Sequence, residues 1–553
     1  MHPKLFTHGV LFGSFTDIVS EAQQKDIFAK PEVFLRDLSG FYSLVMYSKE
    51  RETVIIAVDR RASEPIFYLQ KKDLIFFAPE VKALLSASSH SIELSTEAVP
   101  MFLSCGHLLG EQTLVSSVRR LSGGAYLRIQ NGKLSQGSYW SFLPGSQSQN
   151  ATEDSLKEEL KDLLKQSVTK NIGDACTTAI LLSGGVDSRG ILASALAVME
   201  GHEHDLHTVS WGLDETVTGS DPNIARTISD KFNLHHTFFP RLTAQYKDFF
   251  EETNYIVDGL SDIAAFHPYE LTIMKKISEC GYDRVLRGDE IFGWHERVYT
   301  YSQAETEVGL RSLGMLPFYS EVIQPKFYSL WSAASDAIMV DIRSSIQGME
   351  PNDAKDHLYF THRLQGYLHT SAYYKQVYLD HRNVLLEDSI LEFLARVPPQ
   401  YRIDKGLFRK AVYELNPLLS GIPIANRTGY ENWANELVSS SSLREYTQTQ
   451  LNDTKSGIWE YFNRPAMVKL FNSLSLATPS LASQEEGSLE FVKNWIGGKT
   501  KEALFAFAPR HTTELRAKRL QSALLPYHVI LRFLVFKNWH DRFVSQCGGP
   551  SLH

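Results

Sequence analysis

A chain of 553 residues, 43% hydrophobic and 22% charged, exceeds what one hydrophobic core organises, so two or three domains are expected and a small stapled scaffold is excluded. Its 34 Gly and 21 Pro follow no period, which excludes fibrous and disordered chains. With 56 Lys+Arg against 64 Asp+Glu, the formal charge of -8 repels phosphate backbones and anionic lipid, so neither nucleic acid nor a membrane is an expected partner.

Cys105, Cys176, Cys280 and Cys547 are spread along the chain without a C-x-x-C pair or metal-ligand spacing, which suits a reducing cytoplasm. No long apolar run follows Met1-His2-Pro3-Lys4, and the stretch from Leu524 to Phe536 is interrupted by Pro526, His528 and Arg532. Neither an export signal nor a membrane span is expected, and the expected location is cytoplasmic.

The first 140 residues alternate β-rich runs with turn signals, at Phe41 to Tyr47, Thr53 to Val58, Ile66 to Leu69 and Leu74 to Phe77. This sheet-rich region closes at Tyr139-Trp140-Ser141-Phe142. Pro144 to Asn150 has the Pro/Gly/Ser/Gln composition of a linker. Beyond it, Leu156, Leu160, Leu163, Leu164 and Val168 mark one buried face of a helix. Strands are expected at Thr177 to Leu182, His207 to Trp211, His236 to Phe239 and Arg284 to Leu286. Helices fall between them, one with Ile224, Ile228 and Phe232 on a face. Strands alternating with helices imply a parallel, doubly wound sheet. From about residue 355, helix-period patterns dominate, through Leu391 to Leu394 and an amphipathic tail around Phe533 and Trp539.

The sharpest local signal is Leu181-Leu182-Ser183-Gly184-Gly185-Val186-Asp187-Ser188, an apolar strand running into Ser-Gly-Gly and then into a helix. Two glycines let the backbone present consecutive N–H groups, and the helix start adds partial positive charge, so the loop is built for phosphate or pyrophosphate. Asp187 then stands where it can hold Mg²⁺. Ser-Gly-Gly alone is equally a tight strand-to-helix turn; Asp187 and Ser188 behind a buried strand tip the reading toward phosphate. No Lys follows the glycines, so this is not a Walker A loop.

Ser183 to Ser188 match the SGG-x-DS signature of PP-loop ATP pyrophosphatases, and the surroundings resemble the asparagine synthetase family in particular. Thr208 to Gly212 resembles that family's second strand, and Ala225-Arg226 the helix after it. Val285-Leu286-Arg287-Gly288-Asp289-Glu290-Ile291-Phe292-Gly293-Trp294 resembles V-L-S-G-x-G-x-D-E-x-F-G-G. Arg382 to Pro399 and Lys405-Gly406-Leu407-Phe408-Arg409-Lys410 resemble two later motifs. Leu38-Ser39-Gly40-Phe41, Asp59-Arg60, Phe77 to Leu84 and Tyr139-Trp140 fall in the order of the second half of its glutaminase domain. The resemblance covers residues about 10 to 430 and extends to β-lactam synthetases and lasso-peptide cyclases. It implies a truncated, Ntn-type glutaminase-like domain (1–145), a doubly wound PP-loop ATP-binding domain (151–430) and a helical C-terminal extension (431–553). ATP and Mg²⁺ are the implied cofactors. Ser183, Gly184, Gly185, Val186, Asp187, Ser188, Ser210, Trp211 and Gly288 are the implied nucleotide-binding residues.

Departures from the family are informative. The family's glutaminase uses an N-terminal cysteine as nucleophile; this chain has His2, and only about 38 residues precede the Ser39-Gly40 match. The catalytic half of that domain is therefore expected to be missing, Cys105 is expected to be a core thiol, and glutamine hydrolysis is not expected. Asp289 follows a shortened loop and aligns in two ways, as the second Mg²⁺ carboxylate or as an acid facing the acyl intermediate; the D-E-I-F-G continuation favours the metal role. Asp380-His381-Arg382 replaces Glu-Val-Arg, leaving Asp380 as a catalytic candidate or as half of a structural ion pair with Arg382. Val384-Leu385-Leu386-Glu387 replaces Pro-Phe-Leu-Asp. Arg427 stands where the family's late Lys faces the adenylate, and would supply charge but no proton. His235 and His236 read as structural, because no metal spacing surrounds them.

The resemblance implies an ATP-dependent ligase that adenylates a carboxylate, releases pyrophosphate, and passes the acyl group to an amine. Two other readings stand beside it: an ammonia-using amidotransferase with a separate glutaminase, acting on a sugar or metabolite carboxylate, and a non-catalytic nucleotide-binding subunit. Neither substrate nor assembly state is legible in the sequence.

Overall fold

The computed structural model describes residues 4–6, 9–15, 27–88, 92–145, 151–173, 177–241, 245–289, 291–293, 297–426, 428–476 and 524–544. His2, Cys176, Glu290, Trp294, Arg427, Cys547 and the linker residues 146–150 lie outside them.

The N-terminal region is built on a six-stranded antiparallel sheet. Its strands β1 (Lys4–Phe6), β2 (Gly9–Phe15), β3 (Gly40–Ser48), β4 (Thr53–Val58), β8 (Ala125–Gln130) and β9 (Lys133–Ser138) lie in that spatial order. A small sheet of β5 (Phe67–Lys71), β6 (Leu74–Ala78) and β7 (Arg119–Arg120) lies beside it in the order β6-β5-β7. Side chains two apart on a strand share a face. Tyr42, Leu44, Met46, Ile55 and Ala57 therefore meet Leu35 and Leu38 on one side. Ile56, Val58 and Leu127 meet Ile66, Tyr68 and Leu121 on the other.

Helix α1 (Ala98–Cys105) is buried at every residue. Cys105 is accordingly a core thiol, 9% exposed, with its Sγ toward the carbonyl of Arg311 at 3.7 Å. Helix α2 (Glu153–Ile172) starts where Thr152 accepts from Ser155 N–H at 3.2 Å, with Glu153 and Asp154 in the first turn complementing its dipole. Its Leu156, Leu160, Leu164 and Val168 are buried, the stripe their spacing predicts.

Five parallel strands follow: β10 (Thr178–Leu181), β11 (His207–Gly212), β12 (His235–Pro240), β13 (Arg284–Arg287) and β14 (Asp380–Asn383), in the order β12-β11-β10-β13-β14. Helices α3 (Val186–Val198), α4 (Asp221–Lys231) and α5 (Glu270–Glu279) make the crossovers between the first four. The chain leaves β10 toward β11 and β12, then returns to its other side for β13. The switch point thus falls between β10 and β13, and the C-terminal ends of the strands around it are where an open parallel sheet binds ligands. The fifth strand departs from the sequence expectation of helix beyond residue 355. Asp380-His381-Arg382-Asn383 has no apolar residue to announce a strand; Asp380, Arg382 and Asn383 are held by polar partners, and His381 is buried with no hydrogen-bond partner for its ring among the described residues.

Helices α6 (Asp388–Arg396), α7 (Gly406–Leu415) and α8 (Pro526–Phe543) complete the elements needed below. Pro526 occupies the first position of α8, where its missing N–H costs nothing, and Val529 to Lys537 are all buried. Arg532 on α8 donates to the carbonyls of Leu103 and Ser104, at 2.8 and 3.0 Å, and its Nε donates to Asp262 at 2.8 Å. It thereby satisfies carbonyls left open at the end of α1. Among the described residues, no helix is long and apolar enough to cross a membrane.

Candidate active site

Ser183 to Ser188 join the C-terminal end of β10, the central strand, to the first turn of α3. Gly185 is the N-cap of α3, Val186 its first residue, and Asp187 the acid of its first turn. Gly184 is required by space: a Cβ there would lie 2.3 Å from the Cβ of Ala425. Ser188 is buried, and its Oγ receives the Ser183 N–H at 3.1 Å. A cavity of about 200 Å³ opens beside the loop, lined by Leu181 to Ser183, Ser210 to Gly212, Asp221, Arg241, Glu270 and Tyr430 among others. The Ser210 hydroxyl pairs with His236 Nε2 at 3.0 Å. Burial lowers His236 to about 4, with Arg226 adding to the effect, so this histidine is a neutral structural partner.

The two expected metal carboxylates each carry a protein cation. Lys405 Nζ lies 2.7 and 2.8 Å from the two carboxylate oxygens of Asp187. Asp289, just past the end of β13, pairs with Arg287; its N–H donates to Asn383 Oδ1 at 3.2 Å, and Asn383 Nδ2 donates to its Oδ2 at 3.3 Å. Gly288 is packed from both sides, since a Cβ there would meet Leu385 and Ile191 at 2.8 and 3.0 Å. Among the described residues, no group of three or more His, Cys, Asp or Glu forms a metal cage. Mg²⁺ needs none: it is commonly held by one or two carboxylates together with substrate phosphates. Partly exposed hard oxygens that already attract a cation beside a phosphate loop fit that ion.

Asp380 is not brought to this site. It begins β14, three residues before the Asn383 that reaches Asp289, and so lies at the far end of the strand from the loop. There its Oδ2 accepts from Arg284 Nε at 3.1 Å and from Arg382 Nε and Nη2 at 2.9 and 2.8 Å. A D-x-R pattern says that two side chains share a strand face; it does not say which end of the strand they occupy. Glu387 is likewise buried, accepting from Asn171 Nδ2 at 2.8 Å.

Residues that the sequence does not single out stand at the loop and in the cavity lining. Lys405 opens the stretch Lys405 to Lys410, whose pattern gives it no role. It follows Asp404, and both adopt left-handed backbone, at φ 57° and 53°, where non-glycine residues are uncommon. That bend carries the ammonium from the start of α7 to the loop. Arg241, just beyond β12, donates through Nη1 to both oxygens of Glu431 at 2.7 Å. Burial would raise the carboxyl of Glu270, but Lys375, His267 and Arg241 around it hold it well below the usual range. The only sequence signal for Asp221 is Ser220-Asp221-Pro222, a helix start after an expected strand.

A family model described as asparagine synthase matches residues 159–496, more than half of the chain. The chain belongs to the asparagine synthase family. A second model, described as a glutamine amidotransferase domain, matches residues 24–140. Among curated relatives, asparagine synthetase [glutamine-hydrolyzing] 2 of Bacillus subtilis is 27% identical over 212 residues, covering 36% of this chain and 28% of that protein. Asparagine synthetase B [glutamine-hydrolyzing] of Escherichia coli is 24% identical over 329 residues, covering 56% of this chain and 53% of that protein. The chain thus spans between about a quarter and about half of the length of these relatives. The asparagine synthase match continues to residue 496, past the last motif recognised near residue 430.

Proposed function

We propose that the chain is an ATP-dependent carbon–nitrogen ligase of biosynthetic type, which activates a carboxylate as an acyl-adenylate and passes it to an amine. The observation that carries this reading is the Ser183-Gly184-Gly185 loop at the end of the central parallel strand, opening on a cavity walled by Ser210, Trp211 and Gly212. A carboxylate resists attack by amines because its leaving group would be oxide. In the proposed reaction a carboxylate oxygen forms a bond to the α-phosphorus of ATP while the bond to pyrophosphate breaks. The amine nitrogen then bonds to the acyl carbon and gives up a proton, while the acyl C–O bond breaks and AMP leaves with that oxygen.

A pyrophosphate at the loop would be met by the partial positive charge at the N-terminus of α3 and by loop N–H groups that exchange their present acceptors for its oxygens. Lys405, held on Asp187, would supply a positive charge beside the loop. Asp187 and Asp289 would hold Mg²⁺, which neutralises charge developing on the pyrophosphate. Arg427 is proposed to do the same at the acyl group. We further propose that glutamine is not hydrolysed by this chain: Cys105 is the one cysteine in the stretch matching the amidotransferase model, and it is buried in α1. The nucleophile is then an intact amine on a second substrate, or ammonia delivered by a separate glutaminase.

The test is pyrophosphate release from Mg-ATP with aspartate and other carboxylates, each paired with ammonium, with primary amines or with glutamine alone. Carboxylate-dependent release supports the ligase. Release with ammonium alone as the nitrogen source favours the ammonia-using variant. ATP binding without release under every pairing would favour a non-catalytic nucleotide-binding subunit.

A further inference from the structure

The backbone N–H groups of Ser183, Gly184 and Gly185 are all in use. Ser183 N–H donates to Ser188 Oγ at 3.1 Å, and Gly185 N–H donates to Ser183 Oγ at 3.2 Å, both within the loop. Gly184 N–H, at the centre, donates outside it, to Asp221 Oδ1 at 2.8 Å. A carboxylate from the first turn of α4 therefore sits on the N–H that the proposed reaction needs for pyrophosphate. The other oxygen of Asp221 accepts the hydroxyl of Tyr430. Tyr430 belongs to a segment that is itself tied down on the loop. Ala425 N–H donates to the Gly184 carbonyl at 3.2 Å, Asn426 N–H to the Gly219 carbonyl at 3.1 Å, and Thr428 Oγ1 to the Thr218 carbonyl at 3.4 Å.

We infer that Asp221 is a gate residue: its carboxylate takes the place of a phosphate oxygen on Gly184 N–H and, through Tyr430, holds residues 428–430 at the cavity, so that a nucleotide enters only by displacing it. The inference rests on the phosphate reading of the loop. Two anions cannot share one N–H, and a pyrophosphate arriving beside an ionised carboxylate in a partly buried pocket is repelled. The gate is held at a cost, because burial pushes the Asp221 carboxyl up while the Gly184 N–H and the Arg241 charge oppose the shift. A displaced Asp221 has a neighbour to receive it, since the buried Nε of Arg241 has no partner among the described residues. Trp211, Asp221, Arg241 and Tyr430 all line the one cavity, so moving the gate changes the site itself.

The test is titration calorimetry of the full chain with inorganic pyrophosphate and with Mg-ATP, comparing the parent with Asp221→Asn and Tyr430→Phe. Asparagine keeps an acceptor for Gly184 N–H but carries no charge, so Asp221→Asn is expected to bind pyrophosphate on the order of tenfold more tightly. Tyr430→Phe removes one hydroxyl from a half-exposed ring and is expected to give a smaller gain, about threefold. Unchanged or weaker pyrophosphate binding by Asp221→Asn, with the parent binding normally, would overturn the gate and leave the ATP reading standing. If Asp221→Asn fails to fold, Tyr430→Phe decides: tighter binding supports the gate, and equal or weaker binding overturns it. No binding of pyrophosphate or ATP by any of the three proteins would overturn the gate together with the phosphate reading beneath it.

Discussion

At the scale of single residues, the pair Asp187–Lys405 separates chemistry from stability. The two side chains retain 28% and 17% of their exposure, so water screens their attraction and the pair adds about 1 kcal/mol or less to folding. Their proposed task in turnover is far larger, because a missing charge beside departing pyrophosphate is felt in the transition state. Asp187→Ala is expected to lower carboxylate-dependent pyrophosphate release by on the order of 10²-fold or more while moving the melting temperature by only a few degrees. Pyrophosphate release and thermal melting, read on the same preparation, check this: retained turnover would remove Asp187 from the site, and a collapsed transition would make it structural. Asp187 is legible as a candidate in the sequence, because Ser-Gly-Gly-x-Asp-Ser behind an apolar strand is a local pattern. Lys405 is not, since 218 residues separate it from Asp187 and only the fold brings them together.

Among the elements, the four strands from β10 to β13 are legible because apolar runs alternate with helix-period stripes. β14 is not, because it buries polar side chains in pairs with Arg284 and Asp289 rather than by hydrophobicity. Asp258 shows how such buried polar contacts join elements. It ends the helix Tyr246–Val257 in left-handed backbone, and its Oδ2 accepts from both Lys82 N–H and Lys82 Nζ at 3.3 Å, near the start of the helix Val81–Ser88. Its other oxygen has no partner among the described residues. Burial outweighs the pull of Lys82 and raises the carboxyl to about 7. Between about pH 4, where an unfolded aspartate ionises, and pH 7, the folded chain keeps a proton that the unfolded chain has lost. Stability from this group is therefore complete below that window and falls as pH rises through it. Asp258→Asn, which tolerates the same backbone, is expected to flatten the decline by on the order of 2 kcal/mol between pH 4.5 and pH 7.5. Urea unfolding of both proteins at those two pH values measures it, and equal slopes would contradict the assignment.

Across the whole molecule, the two regions matched by separate family models are joined through buried charge. Arg61, fully buried, pairs with Asp59 of its own region and with Asp388 at the start of α6, and donates to the carbonyls of Gly40 and Leu386. Arg532 ties α8 to α1 in the same manner. These buried contacts hold the N-terminal region against the region matched by the asparagine synthase model. None of these ties is readable from composition or periodicity, which report faces and not partners. The central claim, that this framework serves adenylation at the Ser183 to Ser188 loop, is tested most directly by the fate of the phosphates of ATP. With ATP labelled separately at the α and γ positions, and a small-metabolite extract as the source of carboxylate and amine, adenylation gives labelled AMP and labelled pyrophosphate in equal amounts, both lost in Asp187→Ala. Labelled ADP and orthophosphate from the parent, lost in the same variant, would contradict it.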